Sequence, residues 1–217
     1  MEKSRAEAFS DGVFAIAITL LILAVGIEQA TAEGDLGQQL LHLWPAYIAY
    51  AVSFLTIGIM WVNHHSVFRQ FARVDRTLLL LNILLLMLIA FVPFPTRVVA
   101  EHAQSPDDRR AAALLYGTTM TITSILFLSV WIYGSRKLLR PDADRREVSG
   151  ITRSYLPGAP TYAIATLIAF VSSTASLIMF GVIALFYAIS SSFFGRHEKS
   201  LAASTAARTA SVGEPRS

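Results

Sequence analysis

Apolar residues occur in six long runs, separated by shorter polar segments. A helix needs roughly 20 mostly apolar residues to cross about 30 Å of hydrocarbon at 1.5 Å per residue. The chain has six stretches of suitable composition, near residues 8–28, 43–66, 77–96, 112–135, 156–172 and 176–194. We therefore predict an all-α membrane protein with six transmembrane helices.

The last two runs need an argument, because residues 156–194 are almost continuously uncharged. One helix of that length would be roughly 58 Å long, which is too long for a single crossing. We predict a helical hairpin with its turn at the Ser-Ser-Thr-Ala-Ser segment, 172–176. Proline is tolerated in the first turn of a helix but not in its interior. Pro157 therefore marks the start of the fifth span, whereas Pro93 and Pro95 mark the end of the third.

The basic residues predict the orientation of the spans. Six crossings place the two termini and the loops near 67–76 and 136–155 on one side of the membrane. That side holds fifteen of the 18 Lys and Arg residues, and the other side holds only Arg97, Arg109 and Arg110. Basic residues accumulate on the cytoplasmic side of membrane proteins. Both termini are therefore expected in the cytoplasm, in a multi-pass protein of the cell membrane.

Composition narrows the function further. The chain is 54% hydrophobic and 15% charged, and its net charge of +3 is spread over loops, so no nucleic-acid partner is expected. It has no cysteine, which removes disulfides, thiolate metal sites and cysteine nucleophiles. We see no nucleophile–base pattern and expect neither an enzyme nor a cofactor. Residues 1–195 are predicted to form one transmembrane domain, and 196–217 a disordered cytoplasmic tail.

The first span places several residues along one stripe. At 100° per residue, Gly12, Ile16, Thr19 and Leu23 lie together, and Asp11 projects about 140° away from Ile16. The stripe fits either a pore lining or ordinary helix packing, and the pattern alone favours packing. A capping-box spacing at Ser4 predicts that the helix starts there.

Asp11 has two interpretations. A carboxylate in the first turns of a helix is favoured by the helix dipole. A charged group inside a span also tends to find a polar partner, and Asp11 would then anchor a polar network.

The second span ends in polar and aromatic side chains at the level of Ser10 and Asp11. These are Trp61, Asn63, His64 and His65. One interpretation is a membrane-interface anchor. The other is that one histidine, with Trp61 and Asn63, hydrogen-bonds Asp11 or Ser10 across helices. Adjacent histidines project to different sides of a helix, so a metal site is not expected.

The first helix resembles the start of the transmembrane protein 175 family, which comprises potassium channels of lysosomes and of prokaryotes. The resemblance rests on Arg5, on Phe9-Ser10-Asp11-Gly12 and on the following run VFAIAITLL, and it is supported by the end of the second span. The single copy of the motif is similar to the prokaryotic branch, which implies a homotetramer whose first helices line a central pore.

The resemblance also implies residue roles. The constricting position matches Ile16, and the next pore-facing positions match Thr19 and Leu23. The family's polar brace matches Arg5, Ser10, Asp11 and one of the two histidines. Many relatives carry an acidic residue just after the position of Leu23, but this chain has Ala24 there, with Glu28 one turn later.

These observations predict a potassium-permeable channel in which four Ile16 side chains form a hydrophobic constriction that gates by dewetting. Its partners are further copies of itself and the bilayer, and the permeating potassium is its only expected metal. Thr19 either offers a hydroxyl to the pore or back-bonds to the carbonyl one turn earlier. The alternative function is a proton-coupled carrier that uses Asp11 with His64 or His65 as a relay. A scaffold without transport would show no ion flux.

Overall fold

The structure is a computed structural model that describes residues 2–25 and 35–189. Within these residues it is all-helical. The helices are α1 (Lys3–Leu20), α2 (Leu36–His42), α3 (Trp44–Arg69), α4 (Arg76–Phe91), α5 (Pro93–His102), α6 (Pro106–Lys137), α7 (Arg145–Tyr155), α8 (Gly158–Ile168) and α9 (Ser173–Ile189). A 3-10 segment, Leu21–Ala24, extends α1. Glu28, the predicted tail and the last residues of the predicted sixth span lie outside the described residues.

Several helical segments are long and apolar enough to cross a membrane. In the described part of the chain these are Lys3–Ala24, Trp44–Arg69, Arg76–His102 and Pro106–Lys137. The protein is therefore a multi-pass membrane protein. The predicted fifth and sixth spans correspond to α8, with 11 residues, and to Ser173–Ile189. Because α8 alone is only about 17 Å long, a count of six crossings stays a prediction.

The predicted hairpin between the last two helices is present, but its turn comes earlier than expected. The turn lies between Ile168 and Ser173 rather than at 172–176. Ser172 caps the following helix, because its Oγ accepts a hydrogen bond of 3.2 Å from the Ala175 N–H. Ser176 lies inside that helix and donates to the carbonyl of Ala165 at 2.7 Å. The serine cluster therefore begins a helix instead of forming the loop.

Two helix boundaries correct the sequence predictions. Pro93 and Pro95 do not end the third span, because α5 begins at Pro93 and continues to His102. Proline in a first turn gives up an N–H that has no partner inside the helix, so the chain resumes its helix after one residue. The capping box at Ser4 does not form either. Helix α1 already begins at Lys3, and its cap Glu2 makes no side-chain cap bond.

Within the described residues, the N-terminal end and the loops gather at two opposite ends, as alternating crossings require. At one end, Lys3 Nζ donates to the carbonyl of Phe71 at 2.9 Å, and Phe71 forms an isolated antiparallel bridge with Leu139. At the other end, Arg109 donates to Thr174 Oγ1 at 2.8 Å. We call the end with Lys3 and Phe71 the basic end, because the described loops after α3 and after α6 meet there and are rich in Lys and Arg.

Aromatic rings form the core at the basic end. The His64 ring stacks on Phe68 with centroids 4.3 Å apart, and Phe71 follows at 5.7 Å from Phe68. Phe71 also stacks on Trp131, at 6.2 Å. Gly134 makes this possible, since a Cβ there would overlap the Phe71 ring. The loop after α3 is thereby held against α6.

Hydroxyl groups inside the longest helix bond to their own backbone. In α6, Thr119, Thr121 and Thr123 donate to the carbonyl oxygens four residues earlier, at 2.7–2.8 Å. Such bonds satisfy a hydroxyl without a partner on another helix.

Candidate functional site

Helix α1 has two different faces. Its front face consists of Gly12, Ile16, Thr19, Ile22 and Leu23, which are all exposed in the subunit. Ile16 is 60% and Leu23 63% exposed. Its back face consists of Ser10, Phe14, Ala17 and Leu21, which are buried against the neighbouring helices α3, α4 and α5. The predicted stripe therefore lies on the side of α1 that its own subunit leaves uncovered.

Thr19 makes the back-bond that was one of its two interpretations. Its Oγ1 donates to the carbonyl of Ile16 at 2.9 Å. A hydroxyl has one proton and two lone pairs. Because the hydroxyl proton bonds the Ile16 carbonyl, the Thr19 oxygen can only accept a hydrogen bond or contact a cation on the front face.

The helix changes type just beyond Thr19, which the sequence pattern did not reveal. Residues 21–24 form a 3-10 segment, in which residues three apart lie above one another. Viewed down the helix axis, Ile22 therefore lies nearer to the direction of Thr19 than Leu23 does. Ile22 is 53% exposed. The predicted stripe of Gly12, Ile16, Thr19 and Leu23 depends on a regular α-helix that continues to Leu23.

A buried chain of hydrogen bonds joins the back face of α1 to α3 and α4. His64 Nε2 lies 2.8 Å from Asn82 Oδ1, and Asn82 Nδ2 donates to Ser10 Oγ at 3.0 Å. Ser10 Oγ then donates to the carbonyl of Ala6 at 2.8 Å. Ser10, Asn82 and His64 are each at most 2% exposed.

The direction of these bonds follows from the number of protons. Ser10 has one hydroxyl proton, and the Ala6 carbonyl accepts it. Ser10 Oγ can therefore only accept from the Asn82 amide, which orients Asn82 Oδ1 toward His64. A carbonyl oxygen cannot donate, so the proton of His64 lies on Nε2.

Asp11 forms a second link between α1 and α3. Trp61 Nε1 donates to Asp11 Oδ1 at 2.9 Å. Both residues are exposed in the isolated subunit. A carboxylate held by an indole N–H joins the two helices at the level of the Ser10 chain.

The remaining predicted site residues do not join these links within one subunit. The side chains of His65 and Arg5 are exposed, and neither side chain hydrogen-bonds or ion-pairs with another described residue. Asn63 contributes its backbone carbonyl, which accepts from the Tyr155 hydroxyl at 3.3 Å. Among the described residues no group of three His, Cys, Asp or Glu could hold a metal ion.

Asn82 is the residue that sequence reasoning missed. It is the only polar residue between Thr77 and Thr96, in the middle of the third apolar run. A polar side chain in a span normally bonds across helices. Its isolation was therefore a usable signal, although its partners were not readable from the sequence.

Comparisons with known proteins agree with this architecture. A family model described as the endosomal/lysosomal potassium channel TMEM175 matches residues 5–93. The chain is 44% identical over 188 residues to a potassium channel of Streptomyces collinus, covering 86% of this chain and 91% of that one. It is 43% identical over 194 residues to a potassium channel of Chamaesiphon minutus, covering 88% and 95%.

A solved structure matches as well. It is the crystal structure of a lysosomal potassium-selective channel TMEM175 homolog from Chamaesiphon minutus. The TM-score is 0.79 at 39% identity, and the match covers 87% of this chain and 97% of the other. The similarity thus extends over nearly the whole length of both chains.

Proposed function

We propose, because this chain belongs to the TMEM175 family of potassium channels, that four copies assemble around an axis and conduct potassium along it. In this arrangement the front faces of the four α1 helices line the conduit. The channel lies in the cell membrane with its basic end, and both termini, in the cytoplasm.

The observation that supports this proposal is the uncovered front face of α1. Ile16 and Leu23 are more than half exposed, while Phe14 and Ala17 on the same helix are 1% exposed. One exposed helix cannot enclose a conduit, so several copies have to share an axis. We propose potassium as the permeating ion because relatives of this chain are named potassium channels.

The chemistry of the front face suits a narrow cation pathway. Four Ile16 side chains around an axis make a dry constriction, which blocks ions unless it widens or wets. The lone pairs of Thr19, one turn further along, can replace part of the water around a cation. Its hydroxyl proton is occupied by the Ile16 carbonyl and does not repel the ion.

The two polar links hold the pore helix in place. The Asp11–Trp61 bond and the Ser10–Asn82–His64 chain both join α1 to the helices behind it. Asp11 therefore acts as a brace, and permeating ions do not need to bind it. Arg5 is exposed at the start of α1, where a neighbouring copy is its available partner.

The contacts do not favour a proton-coupled carrier. A relay would require Asp11 and either His64 or His65 to exchange protons directly or through titratable groups. The exposed His65 side chain bonds no described residue. Instead Asp11 bonds Trp61, and His64 bonds the amide of Asn82, which does not titrate in this range.

The test is to replace Ile16 by Asn and to record single-channel currents from purified protein in planar bilayers. We expect a larger unitary conductance and a lower preference for potassium over sodium, because the amide wets the constriction. Ile164→Asn is the matched control, since Ile164 is 54% exposed on α8, away from α1. Unchanged currents in both variants would remove Ile16 from the conduction path.

Two further readouts separate the alternatives. Native mass spectrometry of the purified complex should give four subunits, and another number would contradict the tetramer. Unitary currents exclude a carrier, because carrier turnover is too slow to resolve. Proton-coupled flux without unitary currents would instead establish the carrier.

A further inference from the structure

A cavity lies behind α3, between that helix and the helices α6 to α9. Its volume is about 70 Å³, it is open on one side, and we call it the rear cavity. Helix α3 lines it with Thr56, Ile59, Met60 and Asn63. These residues form one stripe of α3 at helical spacing, next to the stripe that carries His64.

Hydrogen-bonding groups that have no partner among the described residues converge on this cavity. The hydroxyls of Ser124, Tyr162 and Tyr187 and the side-chain amide of Asn63 line it. None of these four groups hydrogen-bonds another residue in the described part of the chain. A membrane protein that places four such groups around one space provides a site for a ligand that bonds them.

Tyr162 is the most informative of these groups. It is only 8% exposed, and its ring is stacked on Phe180 with centroids 6.3 Å apart. Among the described residues no fully enclosed side-chain polar atom lacks a partner. The unpartnered hydroxyl of Tyr162 therefore reaches the cavity rather than the sealed core.

The lining also defines the chemistry of the ligand. No lining residue is charged, and Ile59, Met60, Phe127 and Leu128 supply apolar surface beside the hydroxyls. A charged group would be unpaired there and therefore costly. A volume of 70 Å³ holds only a few heavy atoms, so the polar end of a longer molecule enters and its hydrocarbon part stays in the opening.

We propose that the rear cavity binds the hydroxyl end of an uncharged amphiphile, such as an alcohol or a monoacylglycerol dissolved in the bilayer, and that occupancy changes ion conduction. The route to the pore is helix α3. It lines the cavity with Asn63 and joins α1 through Trp61 and His64. A ligand that shifts α3 shifts both links to the pore helix. Only the effect on conduction rests on the function proposed above.

The binding test is photolabelling of the purified channel in liposomes with a diazirine derivative of 1-octanol. We expect saturable labelling of peptides that contain Tyr155, Tyr162 or Tyr187. Excess 1-octanol should displace the label, whereas octane should not. Labelling that does not saturate, or that is spread evenly over lipid-facing side chains, would show that the cavity does not bind the alcohol and would overturn the proposal.

Two pairs of variants place the label in the rear cavity. Ser124→Leu fills the cavity and should abolish saturable labelling, whereas Ser129→Leu, on the same helix but outside the cavity, should retain it. Tyr162→Phe keeps the ring and removes one hydrogen bond, so octanol should bind about two- to tenfold more weakly. Its control is Tyr47→Phe, an exposed tyrosine on α3. Wild-type affinity in Tyr162→Phe would contradict the site even if Ser124→Leu failed to fold.

The effect of the ligand on conduction is measured in a separate experiment. In wild-type channels 1-octanol should change the potassium current, and in Ser124→Leu it should not. Site-specific labelling without any change in current would leave a binding site and refute the regulatory role. A protein that labels but conducts no potassium would instead refute the proposed function and keep the site.

Discussion

The front and back faces of α1 differ in their surroundings more than in their residue types. Both are built largely from apolar side chains, yet Phe14 and Leu21 are enclosed while Ile16 and Leu23 are exposed. The back face meets the helices α3, α4 and α5, which offer a complementary surface and hydrogen-bond partners. Apolar character therefore does not identify the lining of a conduit. What distinguishes the two faces is burial within the subunit, and the proposal above assigns the lining to the exposed face.

The strongest way to break this comparison is to remove a side chain from the back face. Phe14→Ala should lower the free energy of unfolding by about 3–5 kcal/mol, because it leaves a void beside His64 and loses packing contacts. Ile16 lies two residues further along α1 but on the front face. Ile16→Ala should change the free energy of unfolding by only about 0.5 kcal/mol. Denaturant titration of the detergent-solubilised protein measures both. Equal losses would mean that the two faces are equally packed.

A smaller effect is expected from the polar contact of the back face. Asn82→Leu leaves the His64 N–H and the Ser10 hydroxyl oxygen without their partner, which should cost about 1–3 kcal/mol. Asn63→Leu makes the same chemical change on α3 but lies outside the Ser10–Asn82–His64 hydrogen bonds, so it should lower the free energy of unfolding by less. A double-mutant cycle with Ser10→Ala isolates the Ser10–Asn82 term. Additive losses would show that the two side chains are not coupled.

A third effect on stability concerns Asp75, which lies outside both faces of α1. Asp75, before α4, is partly desolvated, which raises the pKa of its carboxyl. Hydrogen bonds from the Leu78 N–H and the Tyr133 hydroxyl outweigh this and hold that pKa below its ordinary value of 3.8. The stabilisation is therefore present above the unfolded-state pKa and is lost as the pH falls through the folded-state pKa.

Asp75→Ala should cost about 1 kcal/mol at neutral pH, since it also removes the cap of α4. Asp75→Asn should keep a cap but lose the acid sensitivity, and thermal unfolding across the acidic range measures this. Asp35→Asn is the matched control, because Asp35 precedes α2 without a side-chain cap bond. The same acid profile in Asp75→Asn and wild type would exclude Asp75 as its source.

The general fold was predictable because membrane helices have a length requirement that sequence alone reveals. Long apolar runs indicated an all-helical membrane protein, and the uncharged segment 156–194 indicated a hairpin. Boundaries were not predictable to the same degree. The sequence predicts that a helix ends at Pro93, whereas a new helix starts there. It also predicts a turn at 172–176, whereas Ser172 caps α9 and Ser176 lies inside it.

The candidate site was only partly predictable for a related reason. Helical periodicity placed Ile16 and Thr19 on one face, but it could not show that the helix tightens at Leu21 and turns Ile22 toward that face. The pairing of Asp11 was among the expected contacts, with Trp61 as its partner. Asn82 lies on a third helix, and contacts between distant segments depend on packing that no local pattern records.

Three of the four threonines of α6, Thr119, Thr121 and Thr123, have a consequence for how the chain enters the bilayer. Scales of membrane insertion assign a cost to polar side chains, and these three lie within five residues. Each of them bonds a carbonyl of the same helix, so its cost is largely removed once the helix forms. Insertion of this segment during synthesis thus depends on its becoming helical first, more than its average apolar character suggests.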